Sequence, residues 1–232
     1  MTGRRRRLHS RDFFFALIRH IVVNTPVPNP FTLPGLDEAR VPADPLELFA
    51  RWYTDAAATD LLEPAAMALA TATPDGAPSA RIVLLRGFDE RGFAFYTNYQ
   101  SRKADELAAN PRAALVIHWD PLRRQVRIEG TVAKVSAAES DAYFRERPVG
   151  HQLSALASPQ SRVILGRRIL DENMERVCAQ FKGAQVPRPD SWGGYRLTPH
   201  TLEFWQGREN RLHDRLRYRR HEDAWVIERL AP

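Results

Sequence analysis

Three stretches of this chain combine residue types that hold anions or act on a bound ligand. Ser101-Arg102-Lys103 follows the strand-like Tyr96-Thr97 and opens a predicted helix. Free backbone N–H groups, the positive end of the helix dipole and two cations together suit a phosphate monoester. An ordinary helix start is the other reading, although basic residues in a first turn oppose the dipole. Tyr143 and Arg147 are spaced i, i+4 and share a helical face, where a hydroxyl and a guanidinium can grip one anion. Arg81 and Arg86 bracket an apolar strand, and each of these arginines taken alone reads as a surface charge. Two separate anion sites point to two phosphorylated ligands. The densest segment is Glu203 to Arg215. Strand alternation there puts Arg211, His213 and Arg215 on one side and Leu212 and Asp214 on the other. Three such groups in a row repel unless an anionic or electron-rich ligand lies against them; a solvated strand face is the alternative.

The usual catalytic signatures are missing. There is no Gly-rich phosphate loop, no metal-spaced Cys/His cluster and no nucleophile elbow, so no metal is expected and the chemistry belongs to an organic cofactor. The elements that must position these residues are mostly strands. Ala66 to Thr73, the turn Pro74-Asp75-Gly76, and Ser79 to Arg86 read as a hairpin. Further strands are predicted at 93–97, 113–119, 125–135, 194–197, 201–206, 212–219 and 224–230. Helices are predicted at 100–110, 137–147 and 161–182, the last from the spacing of Leu170, Met174, Val177 and Phe181 and ended by Gly183. Asp44 and Pro45 start a helix that puts Leu46, Phe49, Trp52 and Tyr53 on one face. So many strands call for a closed or partly closed antiparallel barrel.

Composition narrows the partners. Of the 232 residues, 34 are Lys or Arg and 28 Asp or Glu, a net charge of +6. Arg4 to Arg7, Arg11 and Arg19 lie in the first twenty positions against Asp12 alone, which leaves 28 basic and 27 acidic residues for the rest. The body is close to neutral, so no nucleic-acid partner is expected. The apolar run Phe13 to Val23 is too short to span a bilayer and is broken by Arg19 and His20, which also argues against a secretory signal. A single cysteine, Cys178, fits a reducing compartment, and a cytoplasmic protein is expected. Six prolines between Asn24 and Pro45 mark a lead-in segment, and residues 1–41 are expected to be a poorly ordered extension of a domain covering 42–232.

From about Pro42 onward the chain resembles the pyridoxine (pyridoxamine) 5′-phosphate oxidase family. The resemblance rests on Ala43-Asp44-Pro45-Leu46, Arg81 to Leu85, Phe95-Tyr96-Thr97-Asn98, Ser101-Arg102-Lys103, Arg124-Gln125-Val126, Gln160-Ser161, Ser191 to Tyr195, Glu203 to Gly207, Asn210 to Arg215 and Glu228 to Pro232. It implies an antiparallel FMN-binding split β-barrel with added helices, forming a homodimer with FMN sites built from both chains. FMN would be held by Arg81, Val83, Leu84, Arg86, Tyr96, Thr97, Arg102, Lys103, Gln125, Gln160, Ser161, Trp205 and Arg215. The substrate phosphate would meet Arg86, Tyr143, Arg147 and His151, while Arg211 and His213 would cover the pyridine ring and act in catalysis.

The activity so implied is oxidation of pyridoxamine 5′-phosphate and pyridoxine 5′-phosphate to pyridoxal 5′-phosphate, with O2 as electron acceptor. A split-barrel flavoprotein with another substrate, or a non-catalytic flavin- or pyridoxal-phosphate-binding protein, are the alternatives. The chain departs from the family pattern in having Arg86 for a lysine and His151 for a serine, and at Ser154 and Leu156. With 31 Arg against three Lys, Arg86 matches the composition of the chain.

Overall fold

The computed structural model describes residues 33–232; the expectations for the Arg-rich tail and for the lead-in segment up to residue 32 lie outside them. Helix α1, Pro45–Ala57, begins as the sequence predicts. The Asp44 carboxylate accepts the Leu46 N–H at 2.9 Å, and Pro45 occupies the first turn, where its missing donor costs nothing. The helix buries Leu48, Phe49, Trp52 and Ala56. Phe49 meets Phe88 and Phe93 edge-on at 4.7 and 4.9 Å between ring centroids. Burial of each such side chain contributes about 1.5–3 kcal/mol.

The sheet against which α1 packs has nine strands among the described residues. They are β1 Ala66–Ala72, β2 Pro78–Leu84, β3 Gly87–Asp89, β4 Gly92–Asn98, β5 Arg112–Trp119, β6 Arg124–Lys134, β7 Trp192–Gln206, β8 Asp214–His221 and β9 Ala224–Arg229. Their order is β2-β1-β5-β6-β7-β4-β3, with β8 on β7 and β9 on β8, and every pairing is antiparallel. Because β2 also touches β4, the sheet curls and brings its two ends toward each other. The predicted hairpin is β1 and β2, in register from Ala66↔Leu84 to Ala72↔Pro78.

Helix α2 is Arg102–Ala109, α3 Ala137–Glu146, α4 Val149–Ala157 and α5 Arg168–Gln180. The helix predicted from Ser161 is therefore shorter. Ser161 has φ of +67°, and Pro159 and Gly166 flank a stretch that does not join α5. Helix α4 was not expected, since only Gln152 and Ala157 of its nine residues are buried and no amphipathic period stands out. The strands predicted at 194–197 and 201–206 are one strand. Pro199 is accommodated inside it by a bulge, where the register with β6 slips between Glu129 and Gly130.

Candidate functional site

Lys103, in the first turn of α2, is buried with 9% exposure, and its ammonium donates to three neutral oxygens: Thr97 Oγ1 at 3.1 Å, Ser101 Oγ at 3.2 Å and Gln160 Oε1 at 2.8 Å. Gln160 also accepts from the Thr97 hydroxyl at 3.0 Å. Burial, followed by the like charge of Arg81, lowers the Lys103 pKa to about 8. A buried ammonium without a carboxylate against it is a place for an anion.

The curl of the sheet brings Arg81 of β2 to the same helix. Arg81 donates to Thr71 Oγ1 at 2.5 Å, to the Ser79 hydroxyl and to Glu106 Oε2 at 3.2 Å. Glu106 is 5% exposed and also accepts from Thr71, Ser79 and Arg102. Desolvation would raise its pKa, but the hydrogen bonds from Ser79, Thr71, Arg102 and Arg81 outweigh it and bring the value to about 2. Three cations and one carboxylate leave a net charge of two, which matches a phosphate dianion. β2 is an edge strand, so alternate backbone groups around Val83 and Leu84 face away from β1 and are open to a ligand.

A second constellation forms around the C-terminus of α3. Tyr96, Tyr143 and Trp192 lie nearly parallel, with Tyr96 and Tyr143 centroids 4.0 Å apart and Tyr143 and Trp192 at 6.1 Å. Tyr96 lies against Gly194, where a Cβ would come within 2.7 Å of its ring. The Arg147 guanidinium sits 4.5 Å over the Trp192 ring, and its Nη1 is buried with no hydrogen-bond partner. Burial raises the Tyr143 hydroxyl pKa against the pull of Arg86 and Arg147. Burial also works against the Arg147 cation, as does the like charge of Arg86. Two neighbouring guanidiniums, one with an orphaned buried donor, fit an anion between them and the Tyr143 hydroxyl. A cleft of about 270 Å³ runs from Arg147 and Trp192 past Ser154 and Ser158 to Gln160, and so reaches the second constellation at its arginine and the first at the amide that holds Lys103. His151 is exposed on α4 and makes no side-chain hydrogen bond.

The remaining expected residues gather elsewhere. Gln125, Trp205 and Arg215 are register partners on β6, β7 and β8, and such partners share a face. Arg215 is held by Glu203 at 2.8 Å and by the Ala231 carbonyl at 2.9 Å. The expectation that Arg211, His213 and Arg215 alternate along one strand is not met, because β8 begins only at Asp214. Glu209–Arg211 form a short 3-10 turn in which Asn210 and Arg211 have φ of +54° and +61°. His213 instead lies against Trp205, 4.6 Å between centroids, and its Nδ1 accepts the Arg208 N–H at 3.1 Å. A ring accepting at Nδ1 carries its proton at Nε2, free to donate.

One chain therefore does not bring all the expected residues together. Trp192, under Arg147, opens β7, and Trp205, under His213, is thirteen residues further on, about 40 Å of extended strand. Sequence reasoning missed Glu106, Thr71 and Ser79 and gave Trp192 no role. The i, i+4 spacing of Arg102 and Glu106 was the available signal for Glu106.

The family model for pyridoxamine 5′-phosphate oxidase matches residues 53–181, and that for the pyridoxine 5′-phosphate oxidase C-terminal dimerisation region matches 192–232. The chain belongs to the pyridoxine/pyridoxamine 5′-phosphate oxidase family. Among its relatives in this family, the pyridoxine/pyridoxamine 5′-phosphate oxidase of Salinibacter ruber is 57% identical over 200 residues, 85% of this chain and 93% of that protein. The one from Rubrobacter xylanophilus is 55% identical over 202 residues, covering 87% and 93%. Of solved structures, PhzG from Burkholderia lata, in complex with tetrahydrophenazine-1-carboxylic acid, superposes with a TM-score of 0.83 at 34% identity, covering 88% of this chain and all of that one. An FMN-binding protein from Nostoc punctiforme, related to pyridoxamine 5′-phosphate oxidase, shares the fold at 20% identity with a TM-score of 0.64, covering 85% and 98%. The antiparallel curled sheet is thus the split barrel of this oxidase family. No described helix is long and apolar enough to cross a membrane.

Proposed function

We propose that this protein is an FMN-dependent oxidase that converts pyridoxamine 5′-phosphate and pyridoxine 5′-phosphate to pyridoxal 5′-phosphate, with O2 as electron acceptor, and works as a homodimer. The observation that carries this reading is the pair of anion-ready constellations, Lys103 with Arg81 and Arg102 in one and Arg86, Tyr143 and Arg147 in the other, joined by a cleft that Gln160, the partner of Lys103, lines at one end and Arg147 at the other. One suits the phosphate of FMN, the other that of the substrate. The names of the relatives give the substrate class.

When bound, FMN supplies a two-electron acceptor that O2 regenerates. Lys103, Arg81, Arg102, Thr97, Gln160 and Ser161 would hold its phosphate end. Arg86, Tyr143 and Arg147 anchor the substrate phosphate and so fix the reacting carbon; alignment of this kind can be worth about 7–11 kcal/mol. Arg211 and the Nε2–H of His213 would meet the substrate ring and steady charge that develops there, while Trp205 backs the histidine. Since the two groups of residues sit at opposite ends of β7, we infer that one chain contributes the phosphate anchors and the other contributes Gln125, Trp205, Arg211, His213 and Arg215 to each centre. The match of residues 192–232 to a dimerisation region supports this division.

The test is to purify the protein, record its visible spectrum and mass in solution, and follow peroxide release with pyridoxamine 5′-phosphate. A yellow dimer releasing peroxide is expected. A colourless monomer that FMN cannot reconstitute would overturn the assignment. The structural likeness to PhzG favours a second reading, an oxidase of a different substrate; bound FMN with no turnover of either B6 phosphate would select it.

A further inference from the structure

The loop that carries Arg211 and His213 is tied at both ends by Arg208 and Asp214, which belong to neither anion constellation. Arg208 leaves β7 and Asp214 opens β8, and Arg208 Nε donates to Asp214 Oδ2 at 2.7 Å, closing the loop on itself. The same guanidinium donates through Nη1 to the Leu33 carbonyl at 2.8 Å. Asp214 in turn accepts the Leu36 N–H at 3.3 Å and Arg229 Nη1 at 3.0 Å, and Arg229 reaches Glu38 at 2.6 Å and the Leu36 carbonyl at 2.6 Å. Segment 33–38 is thereby fastened to the loop by side chains from both of its flanks. Its approach is close enough that a Cβ on Gly35 would lie 2.8 Å from Arg208 Nη2.

The loop needs such fastening. Asn210 and Arg211 are non-glycine residues in the left-handed region, which a chain free to relax would leave. Leu212 is 71% exposed, so no apolar anchor holds the tip. His213 Nδ1 is fixed by the backbone N–H of Arg208 itself, so the position of Arg208 sets both the place and the protonated nitrogen of the imidazole.

We propose that Arg208 and Asp214 form a clamp, anchored on segment 33–38, that holds Arg211 and His213 in their working geometry. Both are positioning residues rather than catalytic ones. This rests on the oxidase reading for its kinetic consequence but not for its structural one.

The test compares Arg208→Ala and Arg208→Lys with the unaltered holoprotein. A lysine offers one point charge where the guanidinium forks to Asp214 and Leu33, so it should rescue only in part. Dissociation of FMN should stay within about twofold, because the phosphate cluster is untouched. The limiting rate of flavin reduction at saturating pyridoxamine 5′-phosphate should fall roughly ten- to hundredfold in Arg208→Ala, as a misplacement near 1 Å does, with a smaller change in KM. Independently, the 15N resonances of His213 should show Nδ1 losing its acceptor role, and amides 209–213 should exchange faster. Unaltered reduction rate together with an unaltered His213 spectrum would overturn the clamp. If the unaltered protein itself fails to reduce flavin with B6 phosphates, the oxidase reading falls, and the His213 spectrum and amide exchange still decide the clamp. Should Arg208→Ala not fold, the same measurements on Arg208→Lys and Arg208→Gln apply.

Discussion

Titration of Lys103 should weaken FMN binding over a pH range in which the phosphate remains a dianion. In the free protein burial and the charge of Arg81 hold this lysine at about 8, below the ordinary 10.5. A dianion laid against the ammonium favours its charged form, so binding above pH 8 must draw a proton back onto the side chain. Below about pH 8 Lys103 already carries that proton and contributes in full. Above it, each unit of pH weakens binding by up to tenfold, until the lysine pKa in the complex is passed. If the bound phosphate restores an ordinary lysine value, the FMN dissociation constant should rise about tenfold between pH 7 and pH 9. Flavin fluorescence quenching at pH 7, 8 and 9 measures this directly. Riboflavin, which lacks the phosphate, is the control and should bind equally at all three, and Lys103→Met should flatten the FMN curve. An FMN constant that rises less than about threefold over this range, or riboflavin weakening in parallel, would refute the assignment of Lys103 to the phosphate.

If Arg147 anchors the substrate phosphate as proposed, it is used alike in ground and transition states, so Arg147→Ala should raise KM for pyridoxamine 5′-phosphate at least tenfold in steady-state kinetics with kcat changed much less, since a hydrogen bond to a charged group contributes about 1.5–3 kcal/mol. Glu106 is depressed in the folded protein to about 2, so its contribution to stability is present above the ordinary value of 4.5 and lost as pH falls from there toward 2. Glu106→Gln should cost about 1–3 kcal/mol in urea unfolding at pH 6 and markedly less at pH 2.5, because a neutral amide forgoes the charge-assisted bonds from Thr71, Ser79 and Arg81, which the carboxylate itself loses as it nears its folded pKa.

How far the sequence alone reaches depends on the range of the interactions involved. The Asp44-Pro45 helix start, the hairpin expected over 66–86 and the strand at 125–135 follow from neighbours in the chain, and all three stand in the structure, the hairpin with its second strand ending at Leu84. The helix expected from Ser161 was overextended because the spacing from Leu170 to Phe181 says nothing of where the helix begins, and a left-handed Ser161 leaves no pattern of its own. The alternation read through Arg211 and His213 was plausible for the same reason, yet the Arg208–Asp214 pair closes a loop there instead. Lys103 and Arg147 could be singled out from local spacing as candidates, and the structure gives the first three neutral oxygen partners and leaves the second a buried donor without one. That Thr71, Ser79 and Arg81 converge on Glu106 depends on the curl of the sheet, which brings β2 to β4, and no local pattern encodes it.

The length of β7 has a consequence for heredity. Trp192 and Trp205 lie at its two ends, and on the division proposed above a chain in a dimer would lend its phosphate anchors to one centre and its ring-facing residues to the other. An organism carrying two versions of the gene, one damaged near Arg147 and one near His213, would assemble mixed dimers in which both defects fall on the same centre and the other is whole. Two inactive alleles would then complement each other. Damage to β7 itself, which every centre shares, would spread to both sites of any dimer it enters and behave as a dominant fault.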